Sequence, residues 1–464
     1  MMVSLRPRTH EIVSCIQFGC ASMFMFAGYL CTSFIAESIL HSIHQDNPGA
    51  ISEYAGYYGA AIQFGALAVS SIITPSVLHY LTSKWSLVLS SSLFAMYYVG
   101  FAKVTWWYFY LSQVFVGFGY ALYNNGEGAY LSEHSTWTTL ESNTAIEIAI
   151  GHQCMLVGGV VLLVVFIVSG GGTPQDVSGV SFLHFSEAQI HVLYGSYFAV
   201  SILSVIIFAL LPTKQHDSIA SKSRNDSWSF LDQLKSLCST LTYSNMLILT
   251  LAFFYQGIFT AFYLAVFPTA FSFVRSLNEN SFLVAYYGIA LGLGEFTGGF
   301  LVSMLSRRVR NFSLTPTMLC HALFSLSFQA IVILAFPPTS TVRPTAGSGP
   351  LFSPTVLLCV VCGLLIGLAD STITTARTVV CQIAVPHRRP QAFSLSRLIQ
   401  SVSSSLVLYL SPQMTVPVWV ATTSSSLVVG TVAFAFVASR TKKAVFDIDI
   451  NAGHLETGGK HMSS

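Results

Sequence analysis

Eight ionisable side chains lie inside otherwise apolar stretches of this sequence: Glu127, Glu147, His152, Glu295, His321, Asp370, Arg377 and Arg397. A charge at the centre of a membrane helix costs about 2.5–3.5 kcal/mol on insertion scales, so each such group faces a partner or a wet cavity. Asp370 stands among small neighbours in Gly367-Leu368-Ala369-Asp370-Ser371-Thr372. A carboxyl at membrane depth binds a cation or takes a proton, because an isolated negative charge is costly in low dielectric. Bonding to nearby hydroxyls or to a buried arginine is the structural alternative. Glu295, in Gly292-Leu293-Gly294-Glu295-Phe296-Thr297-Gly298-Gly299, is the second candidate for that cation or proton site. Its glycines permit close helix approach, which makes packing an equal alternative.

Glu127 and Arg377 form a second constellation. Each follows a Val116-Gly117 or Ile366-Gly367 pair by ten residues from the glycine. If the two helices are repeat partners, an ion pair between them would close the inner side of a central cavity. Two independent charges reaching the interface by snorkelling would read the same way. Glu147, His152, Gln153, Arg397 and Gln400 are supporting polar groups for such a cavity. His152 and His321 suit either pH sensing or structural hydrogen bonding.

Soluble-enzyme motifs are missing. There is no Gly-rich phosphate loop ending in Lys-Ser/Thr, no His-Glu-x-x-His, no Gly-x-Ser-x-Gly and no Thr-Val-Gly-Tyr-Gly filter. No catalytic residue, metal or cofactor is expected. Cys359-x-x-Cys362 has no second pair and sits in an apolar run, which favours packing over metal binding. The sequons at Asn225 and Asn311 fall on segments expected in the cytosol and are read as unmodified.

The elements that position these groups follow from composition. Only 9% of the 464 residues are charged, 53% are hydrophobic and mean hydropathy is +0.64. Soluble domains carry about 25% charged residues, so the solvent here is lipid. A net charge of +2 offers no basic face for nucleic acid. Runs near the 20-residue crossing length fall at 11–35, 54–80, 86–103, 106–131, 144–169, 191–211, 243–267, 281–305, 314–336, 354–380, 391–411 and 414–438, here spans 1 to 12.

Of the 21 Lys and Arg, two lie within spans and three (Lys103, Arg275, Arg343) on the predicted outer side, leaving sixteen for the inner side. That bias places both termini in the cytosol. The expected layout is a cytosolic N-terminus (1–10), a six-helix bundle (11–211), a cytosolic linker (212–242), a second bundle (243–439) and a cytosolic tail (440–464). Within the linker, residues 228–235 suit a short amphipathic helix.

The two bundles share sequence. Tyr57-Tyr58-Gly59-x-Ala61-x-x-x-Gly65 recurs as Tyr286-Tyr287-Gly288-x-Ala290-x-x-x-Gly294, and the same register superposes Phe24 on Phe253 and Gly28 on Gly257. A parallel repeat of this kind predicts an all-helical membrane protein of two pseudo-symmetric six-helix halves. The halves diverge where Ala66 stands opposite Glu295 and Tyr120 opposite Asp370.

Phe24-Met25-Phe26, Gly292-x-Gly-Glu-x-x-Gly-Gly299, Gly367-Leu-x-Asp370 and Ala392-Phe393-x-x-x-Arg397-x-x-Gln400-Ser401 are similar to motifs of the Unc-ninety-three-like branch of the major facilitator superfamily. Glu133-His134-Ser135 resembles its major facilitator domain-containing eleven type. The resemblance implies the major facilitator fold and two functions. One is a solute-carrier-like transporter of a small solute or ion. The other is a non-transporting regulator or escort of a membrane partner, such as a potassium channel or receptor. Leu81-Thr82-Ser83-Lys84-Trp85 lacks the Gly-x-x-x-Asp-Arg-x-Gly loop of typical major facilitators, which keeps the second function open. Nothing in the sequence selects plasma membrane or endomembrane.

Overall fold

The computed structural model describes residues 7–136, 138–177, 180–213, 218, 230–308, 314–385 and 388–458. Both sequons, at Asn225 and Asn311, and most of the charged linker lie outside the described residues.

Twelve helical segments of crossing length succeed one another: span 1 (Pro7–Asp46), span 2 (Ala55–Tyr80), span 3 (Ser83–Val99), span 4 (Trp106–Glu133), span 5 (Leu140–Gly151 with Cys154–Ser169), span 6 (Glu187–Ala209), span 7 (Ser244–Ala261 continuing to Ser272), span 8 (Leu283–Arg308), span 9 (Leu314–Ala335), span 10 (Val356–Ala384), span 11 (Arg389–Leu410) and span 12 (Val416–Gly458). Ten described helices are long and apolar enough to cross a bilayer; spans 4 and 11 are not among them. These two carry Glu127, Arg397 and Gln400, and their polar faces turn inward to the cavity described below.

Large apolar side chains such as Ile167, Phe296, Phe300, Leu323 and Val432 are exposed on the outer surface. Trp85, at the start of span 3, and Trp106 and Trp107, at the start of span 4, are exposed near opposite ends of the bundle, as in interfacial aromatic belts.

The packing repeats. Span 1 packs against spans 5 and 6, span 2 against 4, and span 3 against 4 and 6. Span 7 packs against 11 and 12, span 8 against 10, and span 9 against 10 and 12. Across the halves, span 2 meets span 11 and span 5 meets span 8, so each principal contact has a symmetry mate. The predicted glycine pair marks one such correspondence. A Cβ on Gly117 would lie 2.4 Å from Gln63 O of span 2, and one on Gly367 2.1 Å from Leu291 O of span 8. Only glycine allows backbones this close.

Several sequence expectations need correction. Span 1 does not stop near residue 35 but continues to Asp46, bringing Glu37 and His41 inside the bundle. Span 5 is broken at His152 and Gln153. Span 7 holds a π-helical stretch, Phe262–Val266. Pro268 follows it and has no N–H to give to Leu264 O, which loosens the helical ladder there. Span 12 runs helically through Gly458, beyond the expected start of the tail.

One short β-hairpin sits in a connection between helices. Strands β1 (Thr173–Val177) and β2 (Val180–His184) pair antiparallel after span 5, which ends on Gly170 in the left-handed conformation (φ 87°). The linker helix occupies Phe230–Leu241, longer than the stretch read from sequence, and packs against the ends of spans 2, 7 and 11. The bundle thus has a hairpin end and a linker end.

Candidate functional site

Eight of the ten polar residues picked out from sequence line one central cavity of about 180 Å³: Glu127, Glu147, His152, Glu295, Asp370, Arg377, Arg397 and Gln400. His321, described below, is one exception and Gln153 is the other. It sits at the break in span 5 and its amide donates back to Ala149 O at 3.2 Å. Spans 1, 2, 4, 5, 7, 8, 10 and 11 all contribute wall, so the cavity belongs to both halves.

In the second half, Asp370 of span 10 and Glu295 of span 8 line the cavity together. Tyr263 donates to Asp370 Oδ1 at 3.2 Å. That tyrosine lies in the π-helical stretch, a local widening common at functional sites. Gly294 and Gly367 bring spans 8 and 10 into backbone contact, which sets the two acids side by side. Behind Asp370, His321 is fully buried. Its Nδ1 lies 2.8 Å from Ala369 O and must donate, so its Nε2, 2.7 Å from the Tyr255 hydroxyl, accepts. His321 therefore anchors span 10 and does not line the cavity.

In the first half, Glu127 of span 4 and Glu147 of span 5 likewise line the cavity together. The Tyr123 hydroxyl is 3.4 Å from Glu147 Oε1 and 2.9 Å from Ser22 Oγ. Glu147 Oε2 is buried with no other partner. Each half thus offers a carboxyl pair to the same space.

Arg377 and Glu127 face this cavity but form no ion pair among the described residues. The Arg377 guanidinium is buried and donates instead to Gln400 Oε1 at 2.7 Å, while Gln400 donates to Thr260 at 3.2 Å. Arg377 Nε has no partner.

The halves are joined at the hairpin end. Tyr57 donates its hydroxyl to Thr341 O at 2.7 Å, Ser405 donates to Ala61 O at 2.7 Å, and Arg275 pairs with Asp176 at 3.2 Å. Phe34 stacks edge-on against Tyr287, and His41 against Phe273. These hydrogen bonds and ring contacts between the two six-helix halves lie between the cavity and this end. Glu37, absent from the sequence reading, accepts the Tyr57 N–H at 3.0 Å and so caps the start of span 2; its Oε1 is buried without a partner.

Tyr29, Tyr123 and Tyr263, which the sequence did not single out, also line the cavity, as does Tyr120. Uncharged rings in an apolar span carry no signal of their own. For Tyr120 the repeat supplies one, because it stands opposite Asp370.

The family described as "Ion channel regulatory protein UNC-93" matches residues 47–435. The UNC93-like protein MFSD11 of Xenopus laevis is 23% identical over 425 residues, covering 88% of this chain and 91% of its own. That of Xenopus tropicalis is 22% identical over 424 residues, with the same coverage. Among solved structures, a POT family transporter in complex with 5-aminolevulinic acid superposes with a TM-score of 0.64 at 12% identity, covering 94% of this chain and 97% of its own. The nucleoside transporter NupG gives 0.58 at 16%, covering 91% and 98%. These structures share the fold, which is that of the major facilitator superfamily. With the family matched along most of its length and the bundle folded accordingly, the chain belongs to the UNC-93 family.

Proposed function

We propose that this protein is a solute carrier that rocks its two halves about the central cavity, with both termini in the cytosol and the hairpin end outside. On this reading residues 11–211 and 243–439 move as the two bodies, and 212–242 tethers them. The observation that carries it is the convergence of charged groups from both halves on one cavity, while the bonds between the halves gather at one end. A bundle tied at one end and charged at its centre suits alternating access.

Asp370 with Glu295 takes up the coupling proton or cation. Glu127 and Arg377 lie nearer the linker end and pair when that side closes. Their separation fits a state in which the hairpin end is the sealed one. Proteoliposome flux over a metabolite panel, with and without a proton gradient, tests the reading. Asp370→Asn should abolish uptake while folding and surface level are kept.

A second reading is favoured by the family's own description. The protein would then bind a channel or receptor through its lipid-facing surface and move nothing. An apolar groove between spans 2 and 11, bounded by Tyr58, Tyr110 and Tyr409, offers such a surface. Co-purification of a channel subunit, with no flux for any solute, would establish this reading over the first.

A further inference from the structure

We infer that the cavity binds a small organic monocarboxylate with an aromatic or branched body, held by Arg377 and Arg397. This rests on reading the cavity as a solute site and adds the class of solute. The four cavity carboxyls, Glu127, Glu147, Glu295 and Asp370, come from spans 4, 5, 8 and 10. No guanidinium lies within ion-pair distance of any of them among the described residues. Arg397 is half-buried, lines the cavity and has no hydrogen-bond partner among the described residues. Arg377 uses one nitrogen on Gln400 and leaves its buried Nε unpaired.

A guanidinium carries five donors in a planar fork and stays charged. Leaving such donors unmet in a water-poor bundle is costly, and a planar two-oxygen anion meets them with charge-assisted bonds. Two forks on neighbouring spans 10 and 11, facing one space, make a site for a carboxylate.

The rest of the wall describes the body of the solute. Phe26, Tyr29, Tyr120, Tyr123 and Tyr263 supply flat apolar surface opposite and beside the arginines. The cavity holds about 180 Å³. An engineered cavity of about 150 Å³ binds benzene, so this one admits a six-membered ring with a carboxylate attached.

The test is calorimetric titration of the purified full-length protein in detergent with benzoate, its neutral isostere benzamide, its cationic counterpart benzylamine, and inorganic phosphate. Benzoate is expected to bind at least tenfold more tightly than the other three, about 1.4 kcal/mol. Arg397→Gln should lose that tenfold, and Arg397→Lys, which keeps the charge without the fork, should recover part of it. Monodisperse elution of each variant guards against misfolding, and Arg397 is the better target because it holds no other residue in place. No benzoate binding by the wild type, equal binding of benzamide, benzylamine or phosphate, or an unchanged affinity in Arg397→Gln would each overturn the assignment. Binding needs no membrane, so benzoate binding without flux would remove the transport reading and leave this one standing.

Discussion

Alanine at Gly367, where span 10 crosses span 8 beside the acids, should be strongly destabilising. A Cβ there would sit 2.1 Å from Leu291 O, 2.7 Å from Glu295 N and 2.8 Å from Gly294 Cα. Ordinary contact begins at 3.4 Å, so the shortfall against Leu291 O is 1.3 Å (3.4 − 2.1). All three obstacles are backbone or glycine atoms, and no flexible side-chain end can move aside. Overpacking costs about 1–3 kcal/mol, and a backbone clash belongs at the upper end or beyond. Alanine would also gain about 1 kcal/mol of helix propensity over glycine, which leaves a net loss of about 2 kcal/mol or more.

Gly117→Ala repeats the clash in the first half at 2.4 Å, a shortfall of 1.0 Å (3.4 − 2.4), and should cost somewhat less. Gly299→Ala is the control. Its Cβ would meet only Ser371 Oγ at 3.5 Å, so the propensity gain stands and stability should hold or rise. Thermal unfolding in one detergent, followed by size-exclusion fluorescence, ranks the three. A Gly367→Ala protein that melts with Gly299→Ala would refute the close-crossing argument and, with it, the account of how Glu295 meets Asp370.

Two other perturbations probe separate parts of the molecule. If Glu127 and Arg377 pair when the linker end closes, the exchange Glu127→Arg with Arg377→Glu should restore transport lost in either single variant; a double variant no better than the singles removes the gate. Glu37→Ala should lower stability by about 1–3 kcal/mol by orphaning the Tyr57 N–H, whereas Glu37→Gln keeps an acceptor oxygen and should melt near the wild type; equal losses in both would show that Glu37 does something other than cap span 2.

The repeat, the positions of the spans and the charged residues of the cavity were legible in the sequence because the costs involved are local. A charge in an apolar run announces itself, and Glu127, Glu147, Glu295, Asp370, Arg377 and Arg397 did so one by one. What sequence could not supply was which of them touch. Reading Glu127 against Arg377 followed from opposite charge and repeat position, yet the fold places Glu127 on the cavity wall with Glu147 and Arg377 beside Gln400. Which groups meet depends on helix rotation, which no spacing reports.

The missed Glu37 has a different cause. Hydropathy ends span 1 at the first acid, while the helix itself continues because Glu37 finds a backbone N–H to accept and His41 finds Phe182 and Phe273. The break in span 5 fell where Gly151 precedes His152 and Gln153, a weak signal inside a strongly apolar run. The β-hairpin was hidden in a short, polar connection.

The central claim is that a solute crosses this cavity with Asp370 carrying the coupling charge. Its most direct measurement is uptake into proteoliposomes under an imposed proton gradient, comparing the wild type with Asp370→Asn at equal reconstituted protein. The account predicts gradient-driven accumulation of at least one small solute by the wild type and none by the variant. Accumulation that is equal in the two proteins, or absent for every solute in the wild type, would contradict it.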